Sequence, residues 1–550
     1  MTMIPIKKNS RYCLFLFVFL LCTEFLTGCK EQMPEIISID PRIGRMGDIL
    51  TIKGSGFGNE RNESYVTIAG TPPTSSSYLS WNDSEIEVRI PEFGEAGLVY
   101  VFRGRKKSNP ALFANQFTLP VPVEQDTGNS PRISSVEPAS GAIGSLITLH
   151  GSNFGSAREK SGVYFSWNAE SSPSAPAGIN PPDFVEAFEA EFGYELWSER
   201  EIRVRVPDGA ISGNLEVRSS RGNSRPVFFE ITGRPGTKTF RDKRSYTISY
   251  MVDVRIERAT IPNTLNIWMP QPVVSASQRN VRLLTRSAEP FVENYHGTSL
   301  FQLIDTAPRT NTGITLSYVT EVYAVETSVR NQAPVKLNTP SPVGNVYTIS
   351  GALIPSGDPR IKTRAAEIIG RERFPYGQAQ KIYEWLIASG NIRGTPLTGG
   401  ALEALEEKQA DSYRASLLFC SLARASGIPA VPVAGVLINR QRGTTRHYWA
   451  EFWIDGFGWI PLDPALGAGA APQDFNLRDD YAKYYFGNLD NQRIAFSRGE
   501  RFLSQMAPKG RTALRTRDYS LQNLWEEAVG GLESYSSLWS DVTITGMYAQ

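Results

Sequence analysis

The stretch Ser412-Tyr413-Arg414-Ala415-Ser416-Leu417-Leu418-Phe419-Cys420-Ser421-Leu422-Ala423-Arg424-Ala425-Ser426-Gly427-Ile428-Pro429-Ala430 decides how the second half of the chain folds. Between Tyr413 and Ala425 apolar residues lie nearly all round a helical projection, and Gly427 and Pro429 follow at once. This predicts a buried helix with a normal stop. Strands are expected at Val431 to Val436, His447 to Ile454 and Trp459 to Leu462, the last two joined through the turn Asp455-Gly456-Phe457-Gly458. A helix followed by strands that return through a glycine turn makes an α+β core.

Three positions in this core could carry chemistry. Cysteine and serine hydrolases place a nucleophile at a helix N-terminus, a His base within hydrogen-bond reach, and a carboxylate or amide that orients the His. Asp411-Ser412-Tyr413 opens the helix, where unpaired N–H groups and the helix dipole favour an anion. In the next strand Tyr448, Ala450, Phe452 and Ile454 are expected to face the core, which leaves His447, Trp449, Glu451 and Trp453 on a mixed polar and aromatic side where a cleft can form. Asp463 closes the following strand. Each position also has an ordinary structural explanation. Serine or aspartate before a helix is a common N-cap, worth about 1 kcal/mol; a sheet histidine can be satisfied in place, and an Asp before Pro464 can simply end a strand. Cys420 is expected to be inert, because it sits about 12 Å along the helix and roughly 80° round from Ser412, flanked by Phe419 and Leu422.

These residues also carry a family resemblance. Ser412 to Ala430, His447-Tyr448-Trp449-Ala450-Glu451 and Gly458-Trp459-Ile460-Pro461-Leu462-Asp463-Pro464 resemble the transglutaminase-like superfamily. Its pattern has a Cys opening the helix before a G-I-P-A turn, then H-x-W-x-E, then G-W-x-x-x-D-P. Gly427-Ile428-Pro429-Ala430 sets the register, and Ser412 then occupies the place of the family's thiol nucleophile; Val431 stands where an Arg often follows the turn. Tyr485-Phe486-Gly487-Asn488-Leu489-Asp490 resembles a segment found downstream in bacterial members. The resemblance implies a papain-like core over about 350 to 500 with Ser412, His447 and Asp463 at the catalytic positions.

A hydroxyl is far less acidic than a thiol and needs concerted proton removal by a well-placed His. Two functions therefore stay open: binding of peptide, protein or cell-wall chains without efficient catalysis, and an active hydrolase, peptidase or acyltransferase using Ser412, His447 and Asp463. No G-x-S-x-G elbow occurs in the chain. His150, His296 and His447 fall in three different domains beside one buried cysteine, so they cannot supply a zinc set, and neither metal nor cofactor is expected.

Working outward from the core, Ala379, Ile382, Tyr383 and Leu386 recur at the spacing of one helix face. Residues 334 to 358 read as a proline-rich linker. Before it, Tyr246, Ile248, Tyr250, Val252, Val254 and Ile256, and later Ile314, Leu316, Tyr318 and Val322, alternate with polar residues, which predicts a β-rich unit over 237 to 330. After the core, 501 to 550 is a C-terminal extension in which Leu521 to Val529 suggests a short helix.

The first half is an internal repeat. Gly47 to Gly58 aligns with Gly144 to Gly155 at an offset of 97, and Trp81, Ile86, Val88, Ile90 and Pro91 align with Trp197, Ile202, Val204, Val206 and Pro207 at 116, so the second copy holds an insert, placed at Ser171 to Glu189. Ile86-Glu87-Val88-Arg89-Ile90 and Ile202-Arg203-Val204-Arg205-Val206 are half-buried strands by their alternation. The repeat resembles the IPT/TIG family of immunoglobulin-like domains, over 34 to 120 and 130 to 233. It implies two β-sandwiches serving as spacer or adhesion modules, joined by a polar linker at 122 to 130. The aligned partner of His150 is Lys53, which makes His150 a solvated strand residue.

At the start, Lys7, Lys8 and Arg11 precede an apolar run from Tyr12 to Cys22, about half the ~20 residues that a spanning helix needs. With Leu26-Thr27-Gly28-Cys29 this resembles a bacterial lipoprotein signal, residues 1 to 28, which implies acylation of Cys29 and a lipid-anchored place in the cell envelope. Cys420 would then be the one remaining thiol of the mature chain, so no internal disulfide can form. With 57 Lys plus Arg against 56 Asp plus Glu, bulk charge gives no reason to expect nucleic acid as a partner. The fold class is therefore multidomain: two all-β immunoglobulin-like sandwiches, a β-rich unit and an α+β transglutaminase-like core.

Overall fold

A computed structural model describes residues 33–44, 47–91, 97–115, 129–168, 183–188, 191–233, 235–330, 341–389, 391–507, 509–515 and 517–549. The leader, Cys29, and most of the 122–130 linker and of the 171–189 insert lie outside the described residues. The chain divides into two compact units, Met1–Val123 and Glu124–Gln550.

The first unit holds one β-sandwich. Glu35–Asp40, Ile49–Ser55, Glu85–Arg89 and Tyr78–Trp81 form one sheet, and Ile43–Gly44, Ala111–Asn115, Gly97–Arg103 and Tyr65–Ile68 belong to the other. Ile86, Val88 and Ile90 are buried between them, as period-two alternation requires. The second copy repeats the joints as well as the strands. A Cβ on Gly54 would lie 1.9 Å from the Glu35 carbonyl oxygen, and one on Gly151 would lie 1.9 Å from that of Arg132, so neither position accepts a side chain. Trp81 Nε1 donates to the Phe57 carbonyl at 3.2 Å, and Trp197 Nε1 to that of Phe154 at 3.1 Å. Ile202, Val204 and Val206 are buried like their counterparts. Where the insert is described, it is not plain linker: Asp183–Glu186 adds a strand beside Gly162–Trp167.

In the second unit the strand Gly236–Pro270 is the spine of an eight-stranded sheet. It pairs with Thr310–Val329 from Gly236↔Val329 to Ile256↔Thr310, and with Thr298–Ile304. Its other partners come from the end of the chain, Glu526–Trp539 and Thr543–Ala549. The short helix expected over Leu521 to Val529 is thus overturned. Trp525, Ala528, Leu532 and Trp539 are instead buried against the spine strand, and Gly530 and Gly531 run so close to it that a Cβ would lie 2.4 Å from the Pro262 oxygen and 2.1 Å from that of Thr260. Tertiary pairing overrides a weak local helical preference here.

The core sheet is antiparallel, in the order Gly458–Leu462, Thr444–Ile454, Ala430–Ile438, Arg493–Arg498. The helix Ser412–Ala425 packs Leu417, Leu418, Cys420 and Leu422 into one cluster with Ala450, Phe452, Ile454 and Ile460, and with Ile382, Tyr383 and Leu386 of the helix Pro375–Ser389. From the same sheet, Val436, Ile438, Ile494 and Phe496 join the core of the eight-stranded sheet. The core helix is therefore fixed against a sheet that is itself backed by a second sheet.

The second sandwich is part of this unit. Trp167 lies 5.1 Å from the rings of both Phe240 and Tyr323, and Val431, Trp453 and Trp459 of the core share its hydrophobic cluster. Lys238 Nζ sits 2.5 Å from Asp208 and donates to the Trp459 carbonyl at 2.6 Å. Arg498 pairs with Glu451 at 2.7 Å and also with Glu191. Gly458, at φ 98°, lets the turn approach, since a Cβ there would fall 2.1 Å from Asp208 Oδ1. Part of the expected proline-rich linker is ordered by the same contact: Pro342–Tyr347 is a short helix whose Tyr347 packs 5.4 Å from Trp459.

Candidate functional site

Ser412 is the first residue of its helix, but it is not the cap. Asp411 is the N-cap, and its Oδ1 accepts from Arg414 N at 2.9 Å. Its Oδ2 accepts from Leu397 N at 2.7 Å and from Arg517 at 2.6 Å, so the helix start is pinned to segments on both sides of it in sequence. The capping explanation of Ser412 is thereby removed: its hydroxyl is not spent on the helix end. Ser412 is half-buried, and it makes no hydrogen bond to His447.

His447 and Asp463 do meet. His447 Nε2 lies 2.9 Å from Asp463 Oδ2 and 3.1 Å from Oδ1, with both side chains buried. With Nε2 donating to the carboxylate, Nδ1 is the ring nitrogen left to take a proton. The helix start and this strand are neighbours: Tyr413, next to Ser412, packs edge-on at 4.9 Å against Tyr448, next to His447. The hairpin thus bonds two of the three sequence-predicted positions, His447 and Asp463, and the Tyr413–Tyr448 contact sets the start of the Ser412 helix against the same strand. His447 is not on an open face, however. Trp449 and Trp453 on the same side of the strand are buried, the first among Leu466, Phe475 and Tyr485 and the second under the second sandwich.

Asp463 does more than end a strand. It caps the short helix Pro464–Gly467, accepting from Leu466 N at 3.0 Å, an arrangement that Pro at the first helical position favours. Burial alone would push its carboxyl up, but the His447 ring, Arg493 and the Leu466 amide together hold it below the usual carboxylate range. Arg493 donates to Asp463 Oδ2 at 2.9 Å and to Asp490 Oδ2 at 2.9 Å, and Tyr485 donates to the same Asp490 oxygen at 2.9 Å. The guanidinium also lies 5.0 Å from the Trp449 ring. Sequence reading singled out Tyr485 and Asp490 only as part of a familiar segment and missed Arg493; the signal available was an acid and a base three residues apart, just before the alternating strand Arg493–Arg498. Cys420 is fully buried, and burial pushes its thiol up to about 12, which suits a packing role.

The sequence model of the transglutaminase-like superfamily matches residues 362–464, which include Ser412, His447 and Asp463. The core is a transglutaminase-like domain. The IPT/TIG model matches residues 34–118 and 131–169. Curated relatives match parts of the chain. A cyclomaltodextrin glucanotransferase of Paenibacillus macerans is 32% identical over 85 residues, 16% of this chain and 12% of that protein. An uncharacterized protein of Haemophilus influenzae is 26% identical over 180 residues, 26% of this chain and 47% of that protein. The chain thus spans less than half the length of either. Among solved structures, that of a "Putative Cysteine Protease" from Cytophaga hutchinsonii overlaps 57% of this chain and 93% of its own at 14% identity and a TM-score of 0.37.

The transglutaminase-like domain supplies a direct test of its site geometry. Ser412→Cys places a thiol at a helix N-terminus, which lowers thiol pKa, and an imidazole within reach of it would lower it further. This variant is expected to react with iodoacetamide near neutral pH at least ~10-fold faster than wild type, whose Cys420 is buried, and His447→Ala in the same background should slow it. Equal rates in all three proteins would mean that Ser412 and His447 do not share a working site.

Proposed function

We propose that the chain is a lipid-anchored protein of the cell envelope whose transglutaminase-like domain binds peptide or cell-wall chains without efficient catalysis. The observation that carries this reading is the hydroxyl at Ser412 with no hydrogen bond to His447. A thiol can ionise beside an imidazole and attack as a preformed anion, whereas a serine needs its proton taken in the act of attack, through a bond to the base. What supports a binding role is a helix start capped by Asp411 and, on the strand that packs against that helix, a buried His–Asp pair. That arrangement suits a carbonyl or carboxylate of a bound chain. The first IPT/TIG module, a compact unit by itself, serves as spacer or adhesion surface.

A second reading draws on the intact His447–Asp463 pair and on the freedom of Ser412 from capping: an active hydrolase, peptidase or acyltransferase with Ser412 as nucleophile. A fluorophosphonate probe separates the two. Wild-type protein is expected to remain unlabelled while Ser412→Ala still co-sediments with cell-wall material as wild type does; strong labelling of Ser412 would establish the enzyme instead. For the anchor, Cys29→Ala should move the protein from the detergent phase to the aqueous phase, since two acyl chains hold a protein stably. Unchanged partitioning would refute acylation at that position.

A further inference from the structure

We infer that Arg493 and Asp490 are positioning residues for His447, a buried ion pair that aims the Asp463 carboxylate and sets the charge against which the imidazole takes up a proton. The inference rests on His447 and Asp463 being the working pair of the proposed site. It asks for something that the fold does not need. A carboxylate that only capped the Pro464–Gly467 helix would be satisfied by the Leu466 amide, and a His–Asp pair needs no third member to exist.

The bonds form one line. His447 Nε2 meets Asp463 Oδ2 at 2.9 Å, that oxygen accepts from Arg493 at 2.9 Å, and Arg493 donates onward to Asp490 Oδ2 at 2.9 Å. Asp490 is held in turn by the Tyr485 hydroxyl at 2.9 Å and by Gln492 N on its Oδ1 at 2.8 Å. Side-chain exposure along the line is 5% for His447, 0% for Asp463, 4% for Arg493 and 1% for Asp490, so water screens none of these charges well. The strand that carries Arg493 reaches this position because Gly435, which faces His447 on one side and Ala495 on the other, has no side chain: a Cβ there would lie 2.0 Å from the Ile494 oxygen.

The charges sum in one direction. Two carboxylates and one guanidinium leave the line with a single negative charge when His447 is neutral, and protonation of the ring cancels it. Burial alone would lower the Arg493 pKa, but Asp490 and Asp463 raise it, so the guanidinium stays charged. Other groups near the ring have their own partners. Arg446 on the same strand pairs with Asp518 and Asp541, both at 3.0 Å; Arg517 pairs with Asp411 behind Tyr413; Tyr448 donates to the Asp518 carbonyl, and Tyr383 to that of Ala482. Ser412 and Tyr413 on the helix bring no charge at neutral pH.

The test is the proton NMR titration of the His447 ring in full-length protein labelled at histidine Cε1, where only three histidines compete. Asp490→Asn leaves Arg493 uncompensated beside Asp463 and is expected to lower the midpoint of the His447 titration by roughly half a unit or more. Arg493→Met leaves two carboxylates and should raise it, while Arg493→Lys, which keeps the charge, should stay near wild type. Opposite shifts from the two charge-changing variants, or the expected shift from whichever one folds, support the inference. A midpoint within about 0.2 unit of wild type, or a shift of the opposite sign, overturns it. So does failure of both variants to fold, because the pair would then be structural alone. None of these outcomes depends on whether Ser412 reacts with a fluorophosphonate.

Discussion

Val204→Asp is expected to unfold the second sandwich and to lower the thermal transition of the whole Glu124–Gln550 unit by roughly 10 °C or more, while Val88→Asp, its counterpart, should remove only the transition of the first unit. Both valines are fully buried on the inward face of the same strand of the repeat. An unpaired carboxylate in such a place costs several kcal/mol, on top of about 1–3 kcal/mol of lost packing, against a total stability of roughly 5–15 kcal/mol. The difference lies in what surrounds them. The cluster around Val204 includes Trp453, Trp459 and Val431 of the transglutaminase-like core, whereas the cluster around Val88 holds residues of the first module alone. Calorimetry of the two variants would show this directly. Identical damage from both, or a normal melt of Val204→Asp, would mean that the modules are not divided as described.

Removal of residues 526 to 550 is expected to have a still larger effect, leaving no cooperative transition for the second unit and a normal one for the first. These residues supply two strands that pair with Gly236–Pro270, together with Leu532, Trp539, Val542 and Ile544, all buried in the sheet's core. Each such side chain contributes about 1.5–3 kcal/mol on burial, so four of them approach the whole stability of a domain before any strand pairing is counted. The cut would also remove Glu527, whose carboxylate accepts from Asn266 Nδ2 at 3.1 Å and from the Met506 and Ala507 amides, both at 2.8 Å. Native-like melting of the second unit after truncation would refute the structural role given to the last strands.

The parts of the molecule that were legible in the sequence are those specified by local pattern. Alternation placed Ile202, Val204 and Val206 inside, the glycine and proline after Ala425 ended the helix, and the repeat fixed two sandwiches. The His447–Asp463 meeting followed from family register, and the hairpin Thr444–Ile454 with Gly458–Leu462 accounts for it physically. What was not legible depends on partners far away in sequence. Leu521 to Val529 suggests a short helix in isolation, and only the neighbouring spine strand makes Glu526 and the residues after it a strand. Arg493 is unremarkable in sequence because its meaning lies in two carboxylates brought to it by different turns of the chain. Asp411 and Ser412 are adjacent and equally plausible caps, and the choice between them rests on Leu397 and Arg517, which no local rule brings there.

The pairing of the spine strand with the chain's final residues has a consequence for how the protein is made. Met251 bonds to Ser540 across 289 positions, so the long sheet keeps an open edge until residues 526 to 549 have been made. Contacts of this span form slowly, and a partly made sheet edge is a template for mispairing. The first module, by contrast, builds its core from residues 36 to 113, so its strands are made early and its folding can begin while the rest is still emerging. Until those strands are made, the nascent chain therefore has a settled front and an unsettled body. A chain stalled before residues 526 to 549 are made would be left with that edge unpaired, a sheet waiting on strands far from it in sequence.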